Sequence, residues 1–295
     1  MIDEPEPWVV LVTADQRRCA ELALVLEARG IPSRQALLGG VWALSVPAHD
    51  ATAAVEELGV YARENRGRPV ATPPIEPIGN GWPGVLVYVA LLLIVATCVQ
   101  QGAFGVDWLY VGRMDAGLMR SGQLWRAVTA LTIHLELDHL LGNVAFGAFF
   151  TYFVGRYLGG GIGWLAILVA GTFGNVLSGV AEVADHRAIG ASTAVFGALG
   201  ILTAHTWRRG FPPGTSWRGR IAPLIAGLGL LAFTGTGGEN TDIGAHLTGF
   251  VAGFGIGLLA ARYRIAAAPQ LQVPAAVLAG LIVCAAWSWG IASIY

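Results

Sequence analysis

From about residue 84 onward the chain alternates long apolar runs with short polar breaks, and that alternation leaves few folds open to it. A helix crossing a bilayer needs roughly 20 mostly apolar residues, and in lipid only helices and closed barrels satisfy their own backbone groups. The runs at about 84–101, 138–158, 162–182, 190–207, 220–236, 243–261 and 273–293 suit that length. Seven spans put the two termini on opposite sides of the membrane. Composition agrees: 13% of residues are charged, against roughly 25% in a soluble domain. The expected fold is an all-α polytopic membrane protein with the lipid bilayer as its surroundings. A net charge of −1 gives no hint of a nucleic-acid partner.

Residues 1–70 read differently, as a small soluble α+β domain. Val9 to Val12 is a short β-rich run. Thr13-Ala14-Asp15-Gln16 fits a capping box, with Thr13 as N-cap of a helix running to about Arg29 and Gly30 closing it. Gln35–Leu38 and Val41–Val46 flank Gly39-Gly40, a hairpin signal. Asp50 can cap a second helix over Ala51–Glu64. The order β-α-β-β-α predicts helices on one face of a sheet. No catalytic constellation appears here; a regulatory or stabilising module is the expectation, with no partner indicated. Residues 71–83, with Pro73, Pro74, Pro77, Pro83 and Gly79-Asn80-Gly81, are a linker. Met1 is followed by acidic residues rather than a basic segment, unlike a signal peptide. Cys19, Cys98 and Cys284 lie far apart with no metal spacing and read as buried free thiols.

Orientation follows from arginine in the loops, since the chain has no lysine. Arg208, Arg209, Arg218 and Arg220 follow the fourth span and Arg262 and Arg264 the sixth. Both groups share a side with the N-terminal domain, which makes that side cytoplasmic. The segment from about 102 to 137 is too long for a plain connection. Its Trp108, Tyr110 and Trp125 suit a membrane interface, and Trp125-Arg126 followed by Ala127–Leu131 reads as a short helix in the headgroup region.

Polar side chains at membrane depth are costly and so are functional candidates. Ser192 lies one turn into an apolar segment, and His246 opens another about fifty residues later. Taken alone, the serine could serve helix packing and the histidine a proton relay. Together they suggest a nucleophile and its base, because a hydroxyl attacks only once its proton is taken. Both sit just inside helices that start on the extracytoplasmic side, so their depths match. His139 and Asn143, spaced i, i+4, share a helix face and offer donors for a developing oxyanion. His134, five residues before His139, has the wrong spacing for a helical metal pair, and no metal or cofactor is expected. Gly249, Gly253 and Gly257 form a small-residue ladder that can meet Ala191, Ala194, Gly197 and Ala198 on the serine helix. Asp242, one turn before His246, could orient it or cap its helix.

These residues resemble the rhomboid family of intramembrane serine proteases. The matched pieces are Trp125-Arg126, His134 with His139 and Asn143, Gly190-Ala191-Ser192, and Ala245-His246 with Gly249 and Gly253. The resemblance covers about residues 84–262. It implies a six-helix core over 84–264, with 265–295 an extra C-terminal transmembrane helix. It further implies Ser192 as nucleophile, His246 as general base without an acid, and an oxyanion site from His139, Asn143 and the Ser192 N–H. Phe196 matches an aromatic that packs on the catalytic ring, the fifth helix and loop 235–241 a substrate gate and cap. Thr193 departs from the pattern, standing where glycine commonly follows the serine. The implied activity is cleavage of transmembrane protein substrates from a multi-pass protein in the cell membrane. The alternatives are a rhomboid-like pseudoprotease that binds membrane helices and a small-solute transporter with Ser192 and His246 in its polar pathway.

Overall fold

The computed structural model describes residues 8–66, 77–209, 217–235, 242–263 and 269–295. The chain divides into two compact units, Met1–Val70 and Ala71–Tyr295.

In the first unit, strand β1 (Trp8–Ala14), helix α1 (Gln16–Glu27), strands β2 (Arg34–Leu38) and β3 (Val41–Pro47) and helix α2 (Ala51–Glu64) follow one another. The sheet is antiparallel in the order β1-β3-β2. Gly39 and Gly40, at φ 58° and 84°, make the two-residue turn between β2 and β3, a geometry that side-chain-bearing residues resist. Cys19, Leu22 and Leu26 of α1 pack on Leu44, Val46 and Ala54.

The helix starts differ from the expectation. Strand β1 runs on to Ala14, with Thr13 paired to Ala43, so Thr13 cannot cap; Asp15 does, accepting the Arg18 N–H at 2.8 Å. The end of α1 closes as expected on Gly30, with Ile31 N–H donating to Leu26 O and Gly30 N–H to Glu27 O. Asp50 makes no capping bond, because a 3₁₀ turn over Ala48–Asp50 feeds directly into α2.

The second unit holds seven long helices among the described residues: α3 (Trp82–Gln101), then, after the first loop, α7 (Leu137–Leu158), α8 (Gly160–Ala181), α9 (Ser192–Arg209), α10 (Trp217–Gly235), α11 (Ile243–Tyr263) and α12 (Gln272–Ile294). Trp82 and Pro83, read above as linker, belong to α3. Proline is tolerated in a first turn, where its missing N–H leaves no gap; linker residues 71–76 lie outside the described residues. Five of the seven are long and apolar enough to cross a bilayer unaided. Helix α9 carries Thr203, His205, Thr206, Arg208 and Arg209, and α10 shows an apolar stretch over Ile221–Phe233 among the described residues. Low hydropathy costs α9 little, since protein rather than lipid surrounds it: nearly every residue from Thr193 to His205 is buried. The outward faces of α3 and α12 instead carry uncovered apolar side chains such as Leu86, Val87, Ile94, Val273 and Leu281, which lipid would cover. This is a multi-pass membrane fold.

The first loop is built, not loose. It forms helices α4 (Trp108–Gly112), α5 (Ala116–Arg120) and α6 (Arg126–Thr129) and strand β4 (Met114–Asp115), which pairs with β5 (Arg187–Ala188) before α9. The short helix at Trp125-Arg126 exists, and it is packed inside the protein rather than laid open on its surface. Residues 125–134 are all buried, because α12 closes over them: Trp125 is 5.3 Å from the Trp289 ring and donates to Val111 O. Trp108 likewise packs on Trp287 at 4.9 Å; Tyr110 alone of the three rings stays exposed.

Candidate active site

Helices α9 and α11 touch backbone to backbone. A Cβ built at Gly249 would fall 2.2 Å from Thr193 O, at Gly253 2.0 Å from Gly197 O, and at Gly257 2.5 Å from Ile201 O. The offset is 56 residues at each contact, so the helices run parallel, in register, and begin on the same side of the membrane. His246, one turn before Gly249, therefore lies near the height of Ser192. Its ring rests on Phe196, 4.4 Å between centroids at 35°, and Phe196 shares a face with Ser192 at i, i+4. His246 is buried and Ser192 half-buried.

Thr193, the departure noted in the sequence, sits opposite its available space. Its methyl points at Gly174 of α8 and at Gly249, where a Cβ on either glycine would collide with it. Two missing side chains thus absorb the added bulk. Thr248 Oγ donates to Gly174 O at 2.9 Å and ties the third helix to the same point.

The residues before Ser192 are held from the first loop. Gly190, at φ +116°, donates its N–H to Ala130 O at 2.9 Å. The next N–H, that of Ala191, donates to His134 Nε2 at 3.3 Å. Ser192 is the first residue of α9, so its own N–H has no partner within the helix. His139 and Asn143 converge on the same turn: a Cβ at Gly190 would lie 2.6 Å from His139 Cε1, 2.7 Å from its Nε2 and 3.6 Å from Asn143 Nδ2. Gly190 is thus required twice, by its backbone angle and by these side chains. Asn143 Nδ2 donates to His139 O at 3.1 Å, which leaves its second amide hydrogen for another acceptor. Tyr88 of α3 steadies that turn by donating to Asn143 O at 2.8 Å. Gly190, Ser192, His139, Asn143, His134, Phe196, His246, Gly249 and Gly253 therefore gather at one end of the bundle. Trp125 and Arg126 lie beneath, within the first loop.

His134 is 1% exposed. Burial, reinforced by the His139 ring 5.1 Å away, pushes its imidazole down to about 4. It must be neutral to accept the Ala191 N–H. An unfolded chain takes up that proton near pH 6.5, the folded one only near 4. Stability from this site is therefore intact above about pH 6.5 and erodes as pH falls toward 4. The thermal midpoint of the detergent-solubilised wild type should drop across that window. A His134→Asn protein, whose acceptor does not titrate, should drop less; parallel pH curves would refute this.

Asp242 caps α11, accepting the Ala245 N–H on Oδ1 at 2.8 Å, while Oδ2 pairs with His186 Nε2 at 2.8 Å. Both oxygens are engaged away from His246. Other residues here are not singled out by the serine, histidine and donor segments. Asn175 of α8, 2% exposed, donates to Ala127 O; its signal is an amide within an apolar run. Trp287 of α12 donates to Thr132 Oγ1 at 3.2 Å, two residues from His134; nothing in its sequence context marks it. The loop read as a cap lies, from residue 236 to 241, outside the described residues.

A model of the rhomboid domain matches residues 121–263. Putative rhomboid protease YdcA of Bacillus subtilis (strain 168) is 30% identical over 144 residues, 49% of this chain and 71% of that protein. Rhomboid-like protease 1 of Toxoplasma gondii is 31% identical over 145 residues, 48% of this chain and 49% of that one. Rhomboid protease GluP of Bacillus subtilis (strain 168) is 29% identical over 185 residues, 59% of this chain and 34% of that one. The chain thus spans about half the length of the Toxoplasma relative and a third of GluP. The matched region contains the four segments that meet around Ser192, and by it this chain belongs to the rhomboid family.

Proposed function

We propose that the protein is an intramembrane serine endopeptidase that cuts transmembrane protein substrates. The observation that carries the proposal is the gathering, around the first turn of α9, of a hydroxyl (Ser192), an imidazole at matching height (His246) and two donor side chains over Gly190 (His139, Asn143). Ser192 Oγ attacks the scissile carbonyl while His246 takes its proton. The developing oxyanion is received by the Ser192 N–H, His139 and Asn143, each such donor being worth about 2.7–4 kcal/mol. His246 then protonates the leaving amine, and water releases the acyl group by the same route. Phe196 braces one side of the tilted imidazole, an orienting role that an acid fills in a triad. The substrate must present a locally unwound strand, because a helix occupies its own carbonyls.

The arginines after α9 and α11 support an orientation with the N-terminal unit in the cytoplasm and the site open to the extracytoplasmic side. In this reading residues 84–264 form the protease core, 265–295 add a helix to it, and 1–70 act as a regulatory or stabilising module.

Labelling with a fluorophosphonate and cleavage of a model transmembrane substrate test the proposal. Wild type should take the label and cut. Ser192→Ala should do neither while staying folded, and His246→Ala should be slower by about 10²–10⁴-fold. Full cleavage by Ser192→Ala would refute the assignment. A folded wild type that neither labels nor cuts would leave the helix-binding or transport alternatives.

A further inference from the structure

His186 and Asp242 lie outside the residues given a chemical role above, yet they join the two segments that deliver the nucleophile and the base. His186 sits four residues before Gly190, on the strand segment that leads into α9. That segment is fastened to the first loop: Ala116 N–H donates to His186 O at 3.0 Å, Gly117 N–H to Ala184 O at 2.9 Å, and β5 pairs with β4. Asp242 stands immediately before α11, four residues from His246, and its Oδ1 fixes the first turn of that helix through Ala245 N–H. The 2.8 Å contact between His186 Nε2 and Asp242 Oδ2 is therefore a cross-strap. On one side it pulls on the loop that sets Ser192; on the other it pulls on the turn that sets His246. Both partners are largely covered, with side chains 23% and 19% exposed, so the contact is shielded from the screening that weakens surface pairs. The backbone contacts at Gly249, Gly253 and Gly257 fix how closely α9 and α11 approach. The bridge adds a second tie at the start of each helix, where Ser192 and His246 reside.

We propose that His186 and Asp242 are positioning residues for the catalytic pair: their bridge sets the distance between Ser192 and His246 without touching substrate. The proposal rests on the peptidase reading of Ser192 and His246. It assigns to Asp242 a role different from the acid of a catalytic triad, since its carboxylate reaches the imidazole only through the helix turn.

The experiment uses the full chain in detergent and measures the rate of fluorophosphonate labelling at Ser192 alongside the thermal midpoint. His186→Ala removes the bridge. Asp242→Ser keeps a capping oxygen for Ala245 but cannot reach His186. Each should label about tenfold more slowly, a coupling within the range seen for contacting pairs. The double variant should be no slower than either single one. His186→Arg, which still offers a donor to Asp242, should recover most of the rate. Labelling of His186→Ala at the wild-type rate would overturn the strap, as would losses that multiply in the double variant with no recovery by arginine. A wild type that takes no label at Ser192 would overturn the peptidase reading and the strap with it; wild-type labelling with an indifferent His186→Ala overturns the strap alone.

Discussion

A Gly253→Leu protein should take no label at Ser192 and should unfold well below the wild type. The Cβ it adds would lie 2.0 Å from Gly197 O, 2.7 Å from Gly197 C and 2.8 Å from Gly197 Cα. All three are backbone atoms, so no flexible side chain can swing aside. Relief requires α9 and α11 to part by on the order of 1 Å, and the rest of the leucine widens the gap. Overpacking in a close-packed interior costs about 1–3 kcal/mol, and separated helices also forfeit the dispersion contacts of the whole seam. Chemistry suffers more than stability. Misplacing reacting groups by about 1 Å can cost about 10²-fold in rate, and this separation acts directly on Ser192 and His246. Gly255 provides the control. It lies on the same helix two residues on, and a Cβ there meets nothing within 4 Å. Gly255→Leu should label and melt like wild type. Equal behaviour of the two variants, measured by labelling rate and thermal midpoint, would mean that the α9–α11 seam does not set the site.

That seam is also where the sequence was most informative. Glycines at 249, 253 and 257 facing a serine-bearing segment rich in small residues have little use in lipid except close helix contact. Ser192, His246, His139 and Asn143 were visible for a related reason, since a polar group in an apolar run must have something to do. The long helices fell within a few residues of their expected limits because hydropathy is a statement about each residue's own solvent. What escaped depends on partners distant in the chain. Thr13 has the chemistry of an N-cap, but pairing with Ala43 draws it into the sheet. Trp125 has the amphipathic ring of an interfacial residue, but α12 covers it, and its N–H finds Val111 O instead of headgroups. Backbone carbonyls are acceptors that no residue type announces. The bonds of Asn175 and Gln272, and two of the three of Arg126, end on backbone, so their geometry could not be read from composition or spacing. Helix α12 looked like an addition to the core for the same reason. Gln272 accepts from Gly161 and Ile162 and donates to Leu158 O, and Trp287 reaches Thr132, which makes that helix a strut for the loop beneath His134.

Arg126→Ala should be the most destabilising single change in the first loop, and its effect should reach the site. The guanidinium is fully buried. Nη1 donates to Tyr110 O at 2.7 Å and to Arg113 O at 2.8 Å, and Nε donates to Gln123 Oε1 at 2.7 Å. One planar group thus gathers the end of α4, the approach to β4 and the turn before α6. Alanine would leave those acceptors buried without donors and open a cavity beside them. Leaving a buried acceptor without its donor costs about 1–3 kcal/mol, and three acceptors lose theirs here. Lysine keeps the charge but not the fork, since an ammonium cannot match fixed acceptors lying in different directions; Arg126→Lys should recover only part of the loss. Because β4 pairs with β5 and Ala130 O holds Gly190 N–H, loosening this loop frees the turn before Ser192. The thermal midpoint should therefore fall in the order wild type, lysine, alanine, and the Ser192 labelling rate should fall in the same order. A melted loop with undiminished labelling would separate the two, and would mean that α9 and α11 hold the catalytic turn without support from the first loop.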